Sequence, residues 1–102
     1  MKIINLGRGE GKTTRLIYAS EFNNVPILCA TSMQKEHIQR KAYEYGLEIP
    51  KPITVRDIVT NRCVRQFDNG VLVDEAPFVL EVLLSYLGVT NEVKAITLTE
   101  KE

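Results

Sequence analysis

The residues most suggestive of chemistry form a glycine-rich stretch near the start of the 102-residue chain. The stretch consists of Gly7, Arg8, Gly9, Glu10, Gly11, Lys12, Thr13 and Thr14. Because its glycines carry no side chains, successive backbone N–H groups can converge on one anion, as a phosphate-binding loop requires. Lys12 can reach the outer oxygens of a polyphosphate, and the Thr13 hydroxyl can bind Mg²⁺. The stretch therefore predicts a phosphate-binding loop with an adjoining magnesium site.

Two adjacent carboxylates, Asp74 and Glu75, are the second such feature. The apolar run 71–73 precedes them, so we expect them at the end of a buried strand. An aspartate at the carboxyl end of a parallel strand lies where ligands bind and can orient Mg²⁺ or its waters. The next side chain points elsewhere on the pleat, where a carboxylate can polarise an attacking water. We predict Thr13 and Asp74 as magnesium ligands, and Lys12 and Glu75 as catalytic residues.

Alternating strands and helices are predicted to position these two features. Short apolar or alternating runs predict strands at 3–6, 25–31, 53–55, 71–75 and 92–99. Helices are predicted from near residue 12, from 32 until Gly46, over 56–67 and over 77–87. This order predicts an α/β fold, a three-layer α/β/α sandwich with a mainly parallel sheet of about five strands. We expect residues 1–102 to form one domain.

The helix after residue 31 carries signals for its start and its buried face. Thr31 and Gln34 match a capping box, in which each side chain satisfies a free N–H group of the first turn. Ile38, Ala42 and Tyr45 recur at the spacing of one helix face, so we predict that they are buried. His37 lies among charged neighbours and is predicted to be a solvated surface residue.

The helix over 56–67 repeats the capping pattern at Thr54 and Asp57. Its predicted buried stripe is Val59, Cys63 and Phe67. Its outward face is predicted to carry Arg56, Arg62 and Arg65. These arginines are the candidate patch for a nucleic-acid or protein partner, and the alternative is an ordinary solvated helix face.

The helix over 77–87 is apolar in almost every direction, with Glu81 and Ser85 as its polar residues. Pro77 suits its first position and Gly88 suits the residue after its end. A single sheet can bury only part of such a surface. We therefore expect a second copy of the chain or a partner to cover the rest, unless a neighbouring helix or the C-terminal tail does so.

Composition restricts the other possibilities. With 44% hydrophobic and 25% charged residues, the chain resembles an ordinary globular domain. Its net charge of zero provides no overall attraction to nucleic acid. Cys29 and Cys63 lack metal-ligand spacing and read as reduced core residues, and no apolar run is long enough to span a membrane. We expect a cytoplasmic protein.

Together the loop ending in Gly11-Lys12-Thr13 and the pair Asp74-Glu75 resemble the Walker A and Walker B motifs of P-loop NTPases. The adjacent glutamate resembles the catalytic-glutamate, RecA-like branch of that family. The resemblance implies binding of ATP and Mg²⁺ and hydrolysis of ATP. It also implies that the last strand presents Thr97 or Thr99 near the γ-phosphate. One departure is Leu6, which occupies the place of the first glycine in the usual loop pattern.

Within this branch the loop looks like those of phage terminase large subunits and superfamily 2 helicases. A small phage-encoded or mobile-element ATPase would suit such a chain. An alternative is a nucleotide-dependent binding or regulatory module with little intrinsic hydrolysis. A less favoured alternative is a small-molecule kinase, since Asp74-Glu75-Ala76-Pro77-Phe78 is somewhat similar to thymidine kinases. Those enzymes have zinc-binding cysteines and a nucleoside-binding loop that this sequence does not show.

Overall fold

A computed structural model describes residues 11–61, 64–89 and 92–97 of the chain. Within these ranges the α-helices are α1 (Lys12–Asn23), α2 (Ser32–Glu44), α3 (Val55–Asn61) and α4 (Ala76–Tyr86), and Val64–Phe67 form a 3₁₀ helix. The strands are β1 (Ile27–Cys29), β2 (Ile53–Thr54) and β3 (Leu72–Val73). The strand predicted at 3–6 and the loop residues Gly7, Arg8, Gly9 and Glu10 lie outside the described residues.

The three strands form a parallel sheet in the order β2-β1-β3. Leu28 is paired with Ile53 on one side, and Ile27 is paired with Leu72 on the other. The Asp74 N–H continues the ladder by donating to the carbonyl oxygen of Leu28 at 3.0 Å. The carboxyl ends of β1 and β3 therefore meet at one edge of the sheet, and Asp74 lies at that edge.

Side chains along β1 point alternately to the two faces of the sheet, and helices cover both faces. One face buries a cluster formed by α1, β1 and α2, consisting of Leu16, Ile17, Ile27, Cys29, Ile38 and Ala42. Leu28 instead packs against the cluster of Ala30, Val55 and Val79, to which α3 and α4 contribute. The described residues thus form a small α/β domain with a parallel sheet, as predicted, but with three strands where about five were expected.

The helix boundaries on one face follow local signals in the sequence. The α2 cap was predicted, and the Thr31 hydroxyl oxygen accepts from the Gln34 N–H at 3.3 Å. The Gln34 side chain accepts from the N–H of Ala30, one residue earlier than in the usual box. Gly46 follows α2 with a φ of 69°, the left-handed conformation in which glycine ends a helix without strain.

The reciprocal cap predicted for α3 is present. The Thr54 N–H donates to the Asp57 carboxylate at 3.0 Å, and the Asp57 N–H donates to the Thr54 hydroxyl at 3.1 Å. The predicted helix over 56–67 is too long, however, because α3 ends at Asn61 and the chain later forms the 3₁₀ helix. Consecutive β-branched residues and an asparagine at 58–61 have low helix propensity, which explains the early end.

The buried stripe predicted for this helix is wrong at Val59, which is 38% exposed, while Val55 is buried. α3 begins at Val55, one residue before the predicted start, and this residue packs with Ala30 and Val79. Phe67 is half-buried, and Cys63 lies outside the described residues.

The helix predicted over 77–87 is confirmed as α4 to within one residue. Pro77 lies in its first turn, and Gly88 follows its end with a φ of 95°. Val79 is its one fully buried residue, so the expectation of uncovered apolar surface is confirmed. No described helix has the length and apolarity needed to cross a membrane.

The last predicted strand is wrong over 92–97, because these residues have no regular structure and are mostly exposed. Alternating side chains suit a strand but do not supply a neighbouring strand to pair with. Ile96 accordingly remains 42% exposed, and Lys94 pairs locally with Glu92. Thr97 is exposed, and Thr99 lies outside the described residues.

Candidate functional site

The first turn of α1 presents the end of the glycine-rich stretch. Gly11 is the N-cap residue, with a φ of 81° that any other residue would adopt only under strain. No side chain caps the helix, and Lys12 occupies its first position. An ammonium at the positive end of a helix dipole is unfavourable for folding. In the structure the Glu75 carboxylate offsets this charge at 2.8 Å, and a bound anion could take its place.

Thr13 and Asp74 meet although they lie 61 positions apart in the sequence. The Thr13 hydroxyl donates to the Asp74 carboxylate at 3.3 Å. Both predicted magnesium ligands are therefore in contact, and both supply the oxygen atoms that Mg²⁺ prefers. The described residues hold no cluster of three or more metal-ligating side chains. A magnesium ion held by these two would complete its shell with water and phosphate oxygens, as is usual for this ion.

The burial of Asp74 affects its ionisation. Its side chain is almost inaccessible, with a residue exposure of 6%. Removal from water, and secondarily the charge of Glu75, raise the pKa of Asp74. The hydrogen bond from Thr13 and the charges of Lys12 and His37 act in the opposite direction but more weakly. A divalent cation would stabilise the ionised carboxylate that burial disfavours.

Lys12 and Glu75, the predicted catalytic residues, form an ion pair. The Lys12 Nζ and a Glu75 carboxylate oxygen are 2.8 Å apart, and both side chains remain partly exposed. Glu75 has a φ of 55°, the left-handed conformation that non-glycine residues adopt at a cost of about 1 kcal/mol or more. In this conformation Glu75 is the N-cap residue of α4. A phosphate group would compete with Glu75 for the Lys12 ammonium.

A cavity of about 540 Å³ opens in front of these residues. One wall is the start of α1 from Gly11 to Thr14, and Glu75 contributes a second. The third wall comes from α2, through His37 and Lys41. His37 is exposed, as predicted, but it faces this cavity. The sequence prediction missed both residues, although their spacing of four places them on one helix face.

Tyr45 extends this face of α2 by one more turn. Its hydroxyl group lies 3.1 Å from the Thr14 hydroxyl, and its ring stacks on Tyr18 at a centroid distance of 6.0 Å. The prediction that Tyr45 is buried with Ile38 and Ala42 is wrong, because it is 40% exposed. The phenol oxygen needs a polar partner, and Thr14 supplies one at the rim of the site.

The predicted arginine patch cannot be assembled from the described side chains. Arg56 is exposed on α3 and does not line the cavity. Arg62 and the side chain of Arg65 lie outside the described residues.

Comparisons of the chain with known protein families, with curated proteins and with solved structures find no match. The function must therefore be inferred from the residues of the site.

Proposed function

We propose that the protein binds ATP with Mg²⁺ and hydrolyses it, as a P-loop NTPase of the catalytic-glutamate branch. The observation that carries this proposal is the contact between Thr13 and Asp74. A Gly-Lys-Thr tripeptide alone is a weak motif, and so is an acidic pair alone. Their convergence at the carboxyl edge of a parallel sheet is the arrangement that magnesium-dependent phosphate binding requires.

In this proposal the start of α1 binds the phosphates. The backbone N–H groups of its first turn and the Lys12 ammonium contact phosphate oxygens, together with the loop residues from Gly7 onward. Thr13 and Asp74 hold the magnesium ion, which when bound neutralises charge on the outer phosphates. Because Asp74 is buried, its carboxylate is held in a fixed position by the surrounding residues.

Glu75 is the proposed general base. When phosphate draws Lys12 away, the Glu75 carboxylate can accept a proton from a water molecule. The water oxygen attacks the γ-phosphorus, the bond to the β-phosphate oxygen breaks, and ADP and phosphate are released. Glu75 is partly exposed, so water can reach it.

The Lys12–Glu75 ion pair also favours a second function, a nucleotide-dependent switch with little hydrolysis. Because Glu75 is the N-cap residue of α4, breaking this pair changes a contact at the start of that helix. Nucleotide binding alone would then be communicated to the apolar surface of α4. Slow turnover would suit both roles, since an arginine that accelerates hydrolysis is often supplied by a partner.

We further propose a minimal P-loop NTPase fold of three layers, located in the cytoplasm. The free thiol of Cys29 supports this location, because cysteines in oxidising compartments are more typically paired in disulfides. A nucleic-acid or protein partner would bind through Arg56, Arg62 and Arg65, and a second copy through the helix at 77–87.

Calorimetry with Mg-ATP and an assay of phosphate release test this function. Lys12→Ala should weaken ATP binding at least about tenfold, the loss of one charge-assisted contact. Glu75→Gln should bind ATP as tightly as the wild type or more tightly, since Lys12 loses its competing partner. Its hydrolysis should fall by a factor of roughly 10² or more, because an amide cannot act as the base.

The pair Lys94 and Glu92 provides matched controls, because these residues form an exposed ion pair with the same 2.8 Å separation. Lys94→Ala and Glu92→Gln should change neither binding nor turnover. Unchanged ATP binding by Lys12→Ala would refute the phosphate-binding site. Equal, measurable turnover by Glu75→Gln and the wild type would exclude Glu75 as the base. ATP binding by the wild type with negligible turnover would favour the switch.

A further inference from the structure

On the α2 side of the cavity, Lys41 adds a positive charge that is not part of the Walker A-like or Walker B-like motif. Within the part of the chain that is described, three charged side chains line the cavity, namely Lys12, Lys41 and Glu75. Lys12 and Glu75 neutralise each other at 2.8 Å. Among the residues that the structure describes, Lys41 has no ion-pair partner. The described part of the lining therefore carries one uncompensated positive charge, next to the positive end of α1.

Lys41 also differs from the other charged residues of α2. Glu36, Arg40 and Glu44 are exposed, whereas Lys41 is half-buried. Lys35 is half-buried too, but it pairs with Asp57 at 3.6 Å. Lys41 lines the cavity, so its ammonium is held beside the cavity without an anionic partner among the described side chains. An anion in the cavity would supply that partner.

The backbone of Lys41 is fixed in place on both sides. The next residue, Ala42, is buried in the core between α1 and α2. One turn later, Tyr45 contacts Thr14 and stacks on Tyr18. These contacts attach α2 to the first turns of α1, so Lys41 cannot leave the cavity by movement of its helix alone.

We propose that Lys41 is a second phosphate-binding residue, which contacts the polyphosphate of the nucleotide from α2. This inference rests on the proposed function, since it concerns the same site. Lys12 approaches from the start of α1 and Lys41 from α2, so the phosphates would contact cations from two different helices. Lys41 then keeps a positive charge in the site even while Glu75 holds Lys12.

The test compares Lys41→Met, which removes the charge and keeps the length, with Lys41→Arg, which keeps the charge. Arg40→Met is the matched control, because it removes one positive charge from the adjacent, exposed position of the same helix. Affinities for Mg-ATP are measured by calorimetry at two salt concentrations, and far-UV circular dichroism verifies folding. Adenosine serves as a ligand without phosphates.

We expect Lys41→Met to weaken Mg-ATP binding about tenfold, as the loss of one charge-assisted contact does. Its affinity should also depend less on salt. Lys41→Arg and Arg40→Met should remain within about twofold of the wild type, and adenosine binding should not distinguish the variants.

The failure of this inference can be distinguished from failure of the proposed function. If Lys41→Met binds Mg-ATP as the wild type does while Lys12→Ala has lost binding, Lys41 is not a ligand and the site stands. Equal losses in Lys41→Met and Arg40→Met would show a general charge effect and also refute the contact. A wild type that does not bind Mg-ATP would overturn both proposals.

Discussion

At the scale of single residues, the site depends on a carboxylate that is unfavourably placed for folding. Asp74 is buried, and burial raises its pKa. The Thr13 hydroxyl gives it one hydrogen bond, which offsets only part of the lost hydration. A buried carboxylate of this kind reduces the stability of the fold, as residues of functional sites often do. A bound divalent cation would reverse this effect.

Asp74→Asn should therefore separate stability from magnesium binding. Without magnesium, we expect a free energy of unfolding equal to or higher than that of the wild type, since the amide removes a buried charge and keeps the shape. Magnesium-dependent ATP binding should fall at least about tenfold, since outer-shell changes alone reduce metal affinity by that much. Denaturant unfolding and calorimetry with and without magnesium measure the two effects. Asp68→Asn, in an exposed turn, is the control.

A clear loss of stability in Asp74→Asn without magnesium would contradict this account. It would indicate that the carboxylate serves mainly as a structural hydrogen-bond acceptor for Thr13.

The residues that converge in the site were partly predictable from the sequence. The contact between Thr13 and Asp74 was predictable, because parallel strands end at one edge of the sheet. The residue types and their positions in the chain were sufficient to place both at that edge. Lys41 and Tyr45 were not predictable, because the rotation and tilt of α2 decide which of its polar faces meets α1. That orientation depends on the packing of Ile38 and Ala42 in the core, which the pattern of a single helix does not contain.

At the scale of elements, local caps were the best-predicted features. Thr54 and Asp57 lie three residues apart and exchange two hydrogen bonds, so no distant contact is needed to form their cap. The prediction of the last strand was wrong for the opposite reason, because a strand forms only where a neighbouring strand pairs with it. The start of α3 was predictable from its cap, but its end was not. The residues near its end are weak helix formers, so tertiary contacts decide where the helix stops.

The α3 cap predicts a dependence of stability on pH. The N–H group of Thr54 is the main cause that lowers the pKa of Asp57 below its ordinary value of 3.8. A lowered pKa in the folded state means that ionised Asp57 stabilises the fold above about pH 4, and that this contribution is lost as pH falls through the lowered value. Asp57→Ala should lower the unfolding free energy by about 1 kcal/mol at pH 7.

Urea unfolding at pH 7 and near pH 3 checks this prediction, with Asp68→Ala as an exposed control. The difference between Asp57→Ala and the wild type should shrink toward acidic pH, whereas the control should change little. A difference that is constant across this range would show that the charge of Asp57 is not what stabilises α3.

At the scale of the whole molecule, α4 leaves an apolar stripe uncovered. Leu80, Leu83 and Leu87 recur at i, i+3 and i+7, and their exposures are 37%, 37% and 71%. On the other side of α4, Val79 and Val82 pack against residues of α3 and β1. Soluble monomers usually avoid large contiguous apolar patches. The chain also has a net charge of zero, so long-range repulsion does not oppose contact between two copies.

We therefore expect the protein to self-associate through the α4 stripe, with an isologous contact in which the stripe meets its own copy. Light scattering over a range of concentrations should show a mass rising from one chain toward two. Leu87→Glu and Leu80→Glu should shift this equilibrium toward the monomer, because each would place a charge in the contact. Ser85→Glu is the matched control, since it adds the same charge to an exposed position of α4 outside the stripe. A wild type that remains monomeric at high concentration would contradict the contact, and equal shifts in all three variants would attribute association to net charge.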